Sequence, residues 1–208
     1  MLCSLCNHSA SFFGNFQNRN YNRCTNCASV FLDAKDLPSP VAEKNRYKKH
    51  ENFLDNSGYI EFLNPLVNAV IANHQKIEIG LDFGSGPNPI LSLLLQKKGY
   101  NVQPYDLYFS KDAKALEIKY DYIICCEVIE HFHNPQEEFQ NLYNLLKPGG
   151  ILYCKTKLYD SHIDFENWWY KNDFTHCFFY SIKALNFIKN HFKFSNFTLD
   201  TSYFQFTK

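Results

Sequence analysis

Apolar residues follow two different periods through the second half of the chain. Short runs rich in β-branched residues predict strands, and apolar residues spaced three or four apart predict helices. The predicted strands lie at 77–83, 101–106, 121–126 and 150–156. The predicted helices lie at 89–98, 135–146 and 181–191, and two final strands at 193–200 and 202–208 fit a hairpin. This alternation predicts an α/β fold with a mostly parallel sheet and helices on both faces.

The first 75 residues follow a different pattern. Residues 1–30 have no helical period, and residues 33–40 contain two prolines, which indicates a linker. From Tyr59 apolar residues recur at helical spacing, and Pro65 predicts a kink or a restart there with Asn64 as the cap. We therefore expect three parts: a cysteine-rich subdomain with its linker at 1–40, a helical lid or connector at 41–75, and the main domain at 76–208.

Composition narrows the classes of partner. The 208 residues are 45% hydrophobic and 17% aromatic, which is ample for a buried core. Basic and acidic residues number 21 each, and this balance argues against a polybasic nucleic-acid binder while leaving nucleic acid open. The apolar runs are far shorter than the roughly 20 residues that span a bilayer. With no signal pattern at the start, we expect no membrane partner and a cytoplasmic location; the oligomeric state is not indicated.

The segment IEIGLDFGSGPNP, at 77–89, carries the clearest chemical signal. A β-branched run ends in Asp82 and is followed by Gly84 and Gly86, before a helical pattern begins at Ile90. A strand, a glycine turn and a helix let the backbone approach a nucleotide-like ligand, since a Cβ atom would block that approach. The dinucleotide fingerprint GxGxxG is broken here, because Pro89 stands where the third glycine belongs.

Four of the eight cysteines form two CxxC pairs in the first 27 residues. Each pair places two thiolates on one knuckle, and two knuckles complete a tetrahedron around zinc. Because four thiolates leave no coordination position open, we expect a structural Zn²⁺ rather than a catalytic one. The alternative is that the cysteines are incidental or the site has decayed. The expected ligands are Cys3, Cys6, Cys24 and Cys27.

Further motifs follow in order along the chain. Asp106 ends the second predicted strand, where an acid can accept hydrogen bonds from ribose hydroxyls, although it could also be a turn residue. DYIICCEVIEH lies at 121–131 and LLKPGGILY at 145–153. Together with the glycine segment, they resemble the motifs of the class I S-adenosylmethionine (SAM) methyltransferases. One bacterial branch of that family is similar over nearly the whole chain, with a four-cysteine knuckle followed by RYKKHEN (46–52), GYIEFL (58–63), YDLYF (105–109) and WWYKNDFTHCFFY (168–180).

The resemblance implies a Rossmann-like fold with a seven-stranded, mostly parallel sheet whose last strand is antiparallel, and a small N-terminal zinc-binding subdomain. It implies that SAM is the cofactor. One departure from the branch is Asn88, where glycine is expected. The residues that the resemblance assigns to cofactor binding are Asp82, Gly84, Ser85, Gly86, Asp106 and Glu127.

The residues after the third predicted strand raise two catalytic hypotheses. His133 and His176 are general-base candidates, because a histidine can take a proton from a hydroxyl or an amine. Alternatively, a second divalent ion binds there, as in the similar small-RNA 2′-O-methyltransferases, at Glu127, Glu130, His131 and His176. A third interpretation is that Glu130 and His131 only order the loop. The predicted catalytic residues are Glu130, His131, His133 and His176.

The resemblance implies a SAM-dependent methyltransferase that acts on an O or N nucleophile of an acceptor the sequence does not identify. Two alternatives stay open. One is metal-assisted 2′-O-methylation of RNA. The other is a SAM- and zinc-binding module that no longer catalyses, for which the departure at Asn88 is the one argument. Tyr47, His50 and Glu51 are expected in a lid over the cofactor or, equally, on a solvated helix.

Overall fold

The computed structural model describes residues 1–49 and 56–208. His50 and Glu51 of the RYKKHEN motif lie outside the described residues. The strands are β1 (Ala10–Phe16), β2 (Arg19–Cys24), β3 (Val30–Leu32), β4 (Ile79–Phe83), β5 (Asn101–Tyr105), β6 (Tyr120–Cys126), β7 (Leu146–Lys155), β8 (Phe178–Phe179), β9 (Asn196–Leu199) and β10 (Phe204–Thr207). The helices are α1 (Pro40–Tyr47), α2 (Ser57–Asn73), α3 (Ile90–Lys97), α4 (Pro135–Leu145) and α5 (Ile182–His191).

The main sheet has the strand order β5-β4-β6-β7-β10-β9. Strands β5, β4, β6 and β7 pair in parallel, whereas β10 is antiparallel to both of its neighbours. The α/β class, the mostly parallel sheet and the antiparallel last strand are therefore confirmed. After β4 the chain builds β5 on one side and then crosses to build β6 on the other. This change of direction creates a topological switch point at the carboxyl ends of β4 and β6.

The sheet has six strands in the part of the chain that the structure describes, so the expected count of seven is wrong. The difference falls between β5 and β6, where residues 106–119 form a turn and a short 3-10 helix at Ala113–Leu116. Each crossover between parallel strands needs a dozen residues or more. The connection is therefore long enough for a single crossover and too short for an additional parallel strand.

Helix α2 runs without a break through Pro65, contrary to the predicted kink. It begins after Asn56, whose side chain accepts a hydrogen bond from the Tyr59 amide at 3.1 Å, so Asn64 is not the cap. Its buried face, which includes Leu66 and Val70, packs with α3 in one core on one side of the sheet. This burial outweighs the single backbone hydrogen bond that a proline removes.

A second sheet joins the two ends of the chain. Its order is β1-β2-β3-β8 and all of its pairs are antiparallel, so the N-terminal hairpin pairs with a strand that follows β7 by more than twenty residues. The rings of Phe31 and Phe178 stack with centroids 5.6 Å apart. The cysteine-rich segment thus shares a core with the main domain, and the boundary at residue 40 stays a prediction.

Candidate active site and metal centre

A cavity of about 1300 Å³ opens at the carboxyl ends of β4, β5 and β6. It exceeds the roughly 300–1000 Å³ of ordinary small-molecule sites. Three turns contribute most of its floor, namely 83–87, 105–108 and 126–134, while α1 and the segment 169–176 contribute further walls. Ten predicted site residues belong to this region, and all of them except Asp82 and Glu130 line the cavity.

The glycine turn after β4 has the backbone that the sequence predicts. Gly84 and Gly86 have φ values of +77° and +68°, in the left-handed region where a Cβ atom is strained. The amides of Gly84 and Ser85 both donate to the carbonyl oxygen of Tyr105, at 2.8 and 3.0 Å. A Cβ atom on Gly86 would meet no described atom within 4 Å, so the turn borders open space.

Ser85 supplies an observation that fits a bound ligand. Its hydroxyl oxygen is buried, yet it has no hydrogen-bond partner within the described chain. A buried hydroxyl without a partner costs free energy, and such a group in a native structure calls for an explanation. Because Ser85 lines the cavity, a polar ligand seated on the glycine turn would satisfy it.

Asp106, which follows the neighbouring strand β5, holds the glycine turn in place through hydrogen bonds. Its Oδ2 accepts a hydrogen bond from the Gly86 amide at 2.9 Å, and its Oδ1 accepts from the amides of Tyr108 and Phe109 at 2.8 and 3.1 Å. The side chain is buried and lines the cavity. Each carboxylate oxygen has two lone pairs, so Asp106 can hold the turn and still accept a hydrogen bond from a ligand hydroxyl.

Asp82 lies elsewhere than the resemblance implies. Its carboxylate is buried and faces α3, where Oδ2 accepts from the hydroxyl and the amide of Ser92 at 2.8 and 3.2 Å. It does not line the cavity. Burial raises its pKa to about 6, although the hydrogen bonds from Ser92 act in the opposite direction. The structure therefore gives Asp82 a role in fixing α3 behind the turn, and direct contact with a cofactor stays a prediction.

The turn after β6 brings two carboxylates towards one hydroxyl. Tyr170 donates to Oε1 of Glu130 at 2.6 Å and lies 3.1 Å from Oε2 of Glu127. Glu127 lines the cavity with φ +53°, an unusual backbone for a non-glycine residue, and burial raises its pKa. Glu130 is fully buried, and burial together with the charge of Glu127 raises its pKa to about 8.

Two histidines face Glu130 in a matching orientation. The Nδ1 atoms of His131 and His176 lie 2.9 and 2.6 Å from the backbone oxygens of Thr175 and Tyr170. A carbonyl oxygen only accepts, so each Nδ1 carries a proton, and in the neutral ring the lone pair is then on Nε2. Both Nε2 atoms lie 3.9 Å from Oε1 of Glu130. Potential ligand atoms of Glu130, His131 and His176 all lie within 4.8 Å of one another. Three of the four predicted ion ligands therefore form one cluster, and Glu127 is not part of it.

His133 is held by a residue that the sequence analysis missed. Its Nε2 lies 2.9 Å from Oε1 of Glu43 on α1, and Oε2 of Glu43 accepts from the Tyr108 hydroxyl at 2.6 Å. All three residues line the cavity. Glu43 belongs to a polar stretch that reads as solvated helix, so no sequence signal distinguishes it. Its partners are supplied by segments 65 and 90 residues away.

The four N-terminal cysteines converge as the CxxC spacing predicts. Their sulfur atoms all lie within 4.8 Å of one another, with Cys3 and Cys27 at 3.8 Å and Cys6 and Cys24 at 3.3 Å. Four sulfurs about 2.3 Å from a zinc ion form a tetrahedron with edges of about 3.8 Å. The amides of Asn26 and Cys27 point at the Cys24 sulfur from 3.4 Å, as donors to a thiolate do. The cluster therefore fits Zn²⁺.

The strand order, the switch-point cavity and the glycine turn define a Rossmann-like fold of the class I SAM-dependent methyltransferase type. A family model described as a methyltransferase domain matches residues 49–199, and the chain belongs to that family. The chain is 27% identical over 77 residues to the ubiquinone biosynthesis O-methyltransferase of Pseudomonas savastanoi pv. phaseolicola, a match covering 37% of this chain and 33% of the relative. The chain thus spans about a third of the length of such curated relatives.

Two solved structures show the same fold at low sequence identity. The 1,6-didemethyltoxoflavin-N1-methyltransferase of Burkholderia thailandensis, with 1,6-didemethyltoxoflavin and S-adenosylhomocysteine bound, has a TM-score of 0.57 at 14% identity, over 95% of this chain and 98% of that one. The magnesium protoporphyrin IX methyltransferase of Synechocystis, with S-adenosylhomocysteine bound, has a TM-score of 0.55 at 16% identity, over 80% and 93%. Among the described helices of the present chain, none has the length and apolarity to cross a bilayer.

Proposed function

We propose that the protein is a SAM-dependent methyltransferase that methylates an O or N nucleophile. The observation that carries this proposal is the glycine turn, where the unpartnered Ser85 hydroxyl and the Asp106 carboxylate border one open cavity. SAM, when bound, supplies an electrophilic methyl group on a sulfonium that is already a good leaving group. The protein's own contribution is therefore to position two molecules and exclude water.

The cavity residues divide into two groups by position. Gly84, Ser85, Gly86 and Asp106 form one wall and would hold the cofactor, with Asp106 accepting from ribose hydroxyls. The histidines that line the cavity from other segments, His131, His133 and His176, would receive the acceptor. There, His133 or His176 would take the proton that an O–H or N–H nucleophile loses as its bond to carbon forms. Glu127 and His131, which also line the cavity, would position that nucleophile, while the buried Glu130 would hold Tyr170 in place.

The first test is binding of S-adenosylhomocysteine (SAH), the demethylated product, by isothermal titration calorimetry on the zinc-loaded protein. We expect saturable one-to-one binding, followed by transfer of labelled methyl from SAM to a fraction of a cell extract. No saturable binding of SAH or SAM to the folded protein would contradict the proposal. Binding of both without transfer to any fraction would instead favour a module that no longer catalyses.

A second candidate function is supported by the arrangement at Glu130. Metal-ligating histidines usually donate their other ring N–H to a carbonyl or carboxylate oxygen, as His131 and His176 do here. Oε2 of Glu130 is buried without a hydrogen-bond partner in the described chain. A divalent ion at this cluster would lower the pKa of a hydroxyl nucleophile, as metal-assisted 2′-O-methylation of RNA requires. The acceptor would then be a ribose 2′-hydroxyl.

Mn²⁺ titration followed by electron paramagnetic resonance tests this candidate in the zinc-loaded protein. One bound Mn²⁺ per chain that His176→Gln abolishes would support it, and unchanged binding in that variant would exclude the cluster. A matched control is His162→Gln, which alters an exposed histidine outside the cavity. Loss of transfer in a chelator dose that leaves zinc bound would connect the ion to the reaction.

We also propose that Cys3, Cys6, Cys24 and Cys27 bind a structural zinc ion. Their four sulfurs leave no position for substrate, and all four residues are buried. The ion would hold the N-terminal knuckle against the main core. It takes no part in the methyl-transfer step.

A further inference from the structure

Helix α1 buries an unusual residue against the cavity. Of its eight residues, all of them described, only Glu43 is buried, while Val41 is largely exposed. Surface helices of globular proteins normally bury an apolar stripe. Placing a carboxylate inward instead costs free energy unless the charge is fully paired. This inversion indicates that α1 is docked to bring Glu43 to the site rather than to enlarge the core.

The partners of Glu43 lie on two different walls of the cavity. Oε2 accepts from the Tyr108 hydroxyl, and the Tyr108 amide donates to Asp106 on the cofactor side. Oε1 lies 2.9 Å from Nε2 of His133, on the turn after β6. Glu43 therefore links two lining residues, Tyr108 and His133, that come from different turns. A second link, the 2.7 Å ion pair between Arg46 and Asp173, fixes the far end of the helix independently.

We propose that Glu43 is the positioning residue of His133. This inference rests on the proposed methyl transfer for its functional meaning. An ionised carboxylate only accepts, so the hydrogen bond holds a proton on Nε2 of the neutral ring and leaves the lone pair on Nδ1. Within the described chain no hydrogen-bond partner reaches Nδ1, and the ring lines the cavity with its side chain 36% exposed.

The orientation has a consequence for the acceptor. A ring fixed in this way offers Nδ1 as a hydrogen-bond acceptor, which suits a nucleophile that carries its own O–H or N–H group. A buried carboxylate that sets the tautomer of a histidine is the same physical arrangement that orients the base in serine hydrolases. Because Glu43 is carried by α1, the arrangement is complete only while α1 covers the cavity.

Nuclear magnetic resonance of ¹⁵N-histidine-labelled protein tests the assignment without a methyl acceptor. At a pH well above the ordinary histidine pKa, we expect His133 to carry its proton on Nε2, with a downfield, slowly exchanging N–H resonance. Loss of that resonance in His133→Gln identifies it. Glu43→Ala should abolish it, and the isosteric Glu43→Gln should weaken it while keeping the volume of the side chain.

Two controls separate positioning from general loosening of the helix. Arg46→Ala removes the other anchor of α1 and should leave the Nε2–H resonance in place, as should Tyr108→Phe. A proton on Nδ1 in the wild-type protein, or a resonance that survives Glu43→Ala, would overturn the inference. SAH titration of the wild-type protein reports separately on the proposed function, since the tautomer of His133 is observed in the resonance without any ligand.

Discussion

Two aspartates lie at the carboxyl ends of neighbouring strands, Asp82 within β4 and Asp106 just after β5, yet their surroundings differ. Asp106 ties the amides of Gly86, Tyr108 and Phe109 into one rim and borders the cavity. Asp82 lies behind that rim, where it fixes Ser92 at the beginning of α3. The sequence pattern predicts where each strand ends. The direction of each carboxylate depends instead on the hydrogen-bond donors that neighbouring elements present.

Replacing Asp106 with alanine should weaken SAH binding by about tenfold or more. A hydrogen bond to a charged group contributes roughly 1.5–3 kcal/mol, and each 1.4 kcal/mol is a factor of ten in affinity. Calorimetry on folded variants measures the change. Asp200→Ala, at an exposed acid outside the cavity, is the control and should bind as the wild type does. Equal affinity in the two variants would remove Asp106 from the site.

The raised pKa of Asp82 should make the stability of the protein depend on pH. Its folded-state pKa of about 6 lies above the ordinary value of 3.8, so the unfolded chain releases the proton first. Ionisation of Asp82 therefore lowers stability as the pH rises from 3.8 towards 6, and the loss is complete above that window. Asp82→Asn cannot ionise. Its free energy of unfolding, relative to that of the wild type, should therefore rise by up to about 3 kcal/mol across the window.

Urea unfolding of wild type and Asp82→Asn at several pH values measures this difference, because titrations common to both proteins cancel. An offset that does not change with pH would show that Asp82 has the same pKa in both states. Any constant offset reports only on packing of the amide against Ser92.

At the scale of single elements, the backbones of the glycine turn and of α1 each place particular groups at the cavity. The turn needs left-handed residues at 84 and 86, which local sequence can specify. Helix α1 needs a docking surface, which only the folded cavity provides. Its single buried side chain is paired with residues from two other loops.

The two glycines of the turn should respond differently to alanine. A Cβ atom on Gly84 would lie 2.6 Å from a methyl of Val128, whereas one on Gly86 meets open space. Both variants carry the left-handed penalty of roughly 1–2 kcal/mol. Gly84→Ala should lose roughly 1–3 kcal/mol more from overpacking. Urea unfolding gives the stabilities, and calorimetry should show that Gly86→Ala loses SAH affinity because its methyl group occupies ligand space.

Equal stability of the two variants would contradict the role assigned to Val128. Wild-type SAH affinity in Gly86→Ala would show that no ligand approaches the turn closely.

On the scale of the whole molecule, the N-terminal knuckle is part of the main core. Strand β3 pairs with β8, and the Ser181 hydroxyl donates to the backbone oxygen of Cys27. The cysteine cluster belongs to the same buried group as Leu81 and Ile123 of the main sheet. The chain should therefore unfold as one cooperative unit, with zinc release and loss of the sheet in a single transition.

Zinc removal should lower the stability of the entire chain. Cys24→Ser is expected to lose zinc, by elemental analysis, and to melt several degrees below the wild type by circular dichroism, since structural zinc contributes folding energy. Cys125→Ala, at a buried cysteine outside the cluster, should keep its zinc. Two separate melting transitions in the wild type, with zinc released in the first, would contradict a shared core.

The sequence by itself determined the order of the longer strands and helices from α2 onward, the glycine turn and the pairing of cysteines on two knuckles. It did not predict β1, β2, β3, β8 or α1. These features depend on periodicity and backbone preference within a few residues, so they can be read locally. The tertiary structure decided that α2 continues through Pro65, that the sheet stops at six described strands and that Asp82 faces α3. It also decided that Glu43 is buried beside His133. Each of these outcomes depends on contacts between distant segments or on the space that neighbouring elements leave, which no local pattern records.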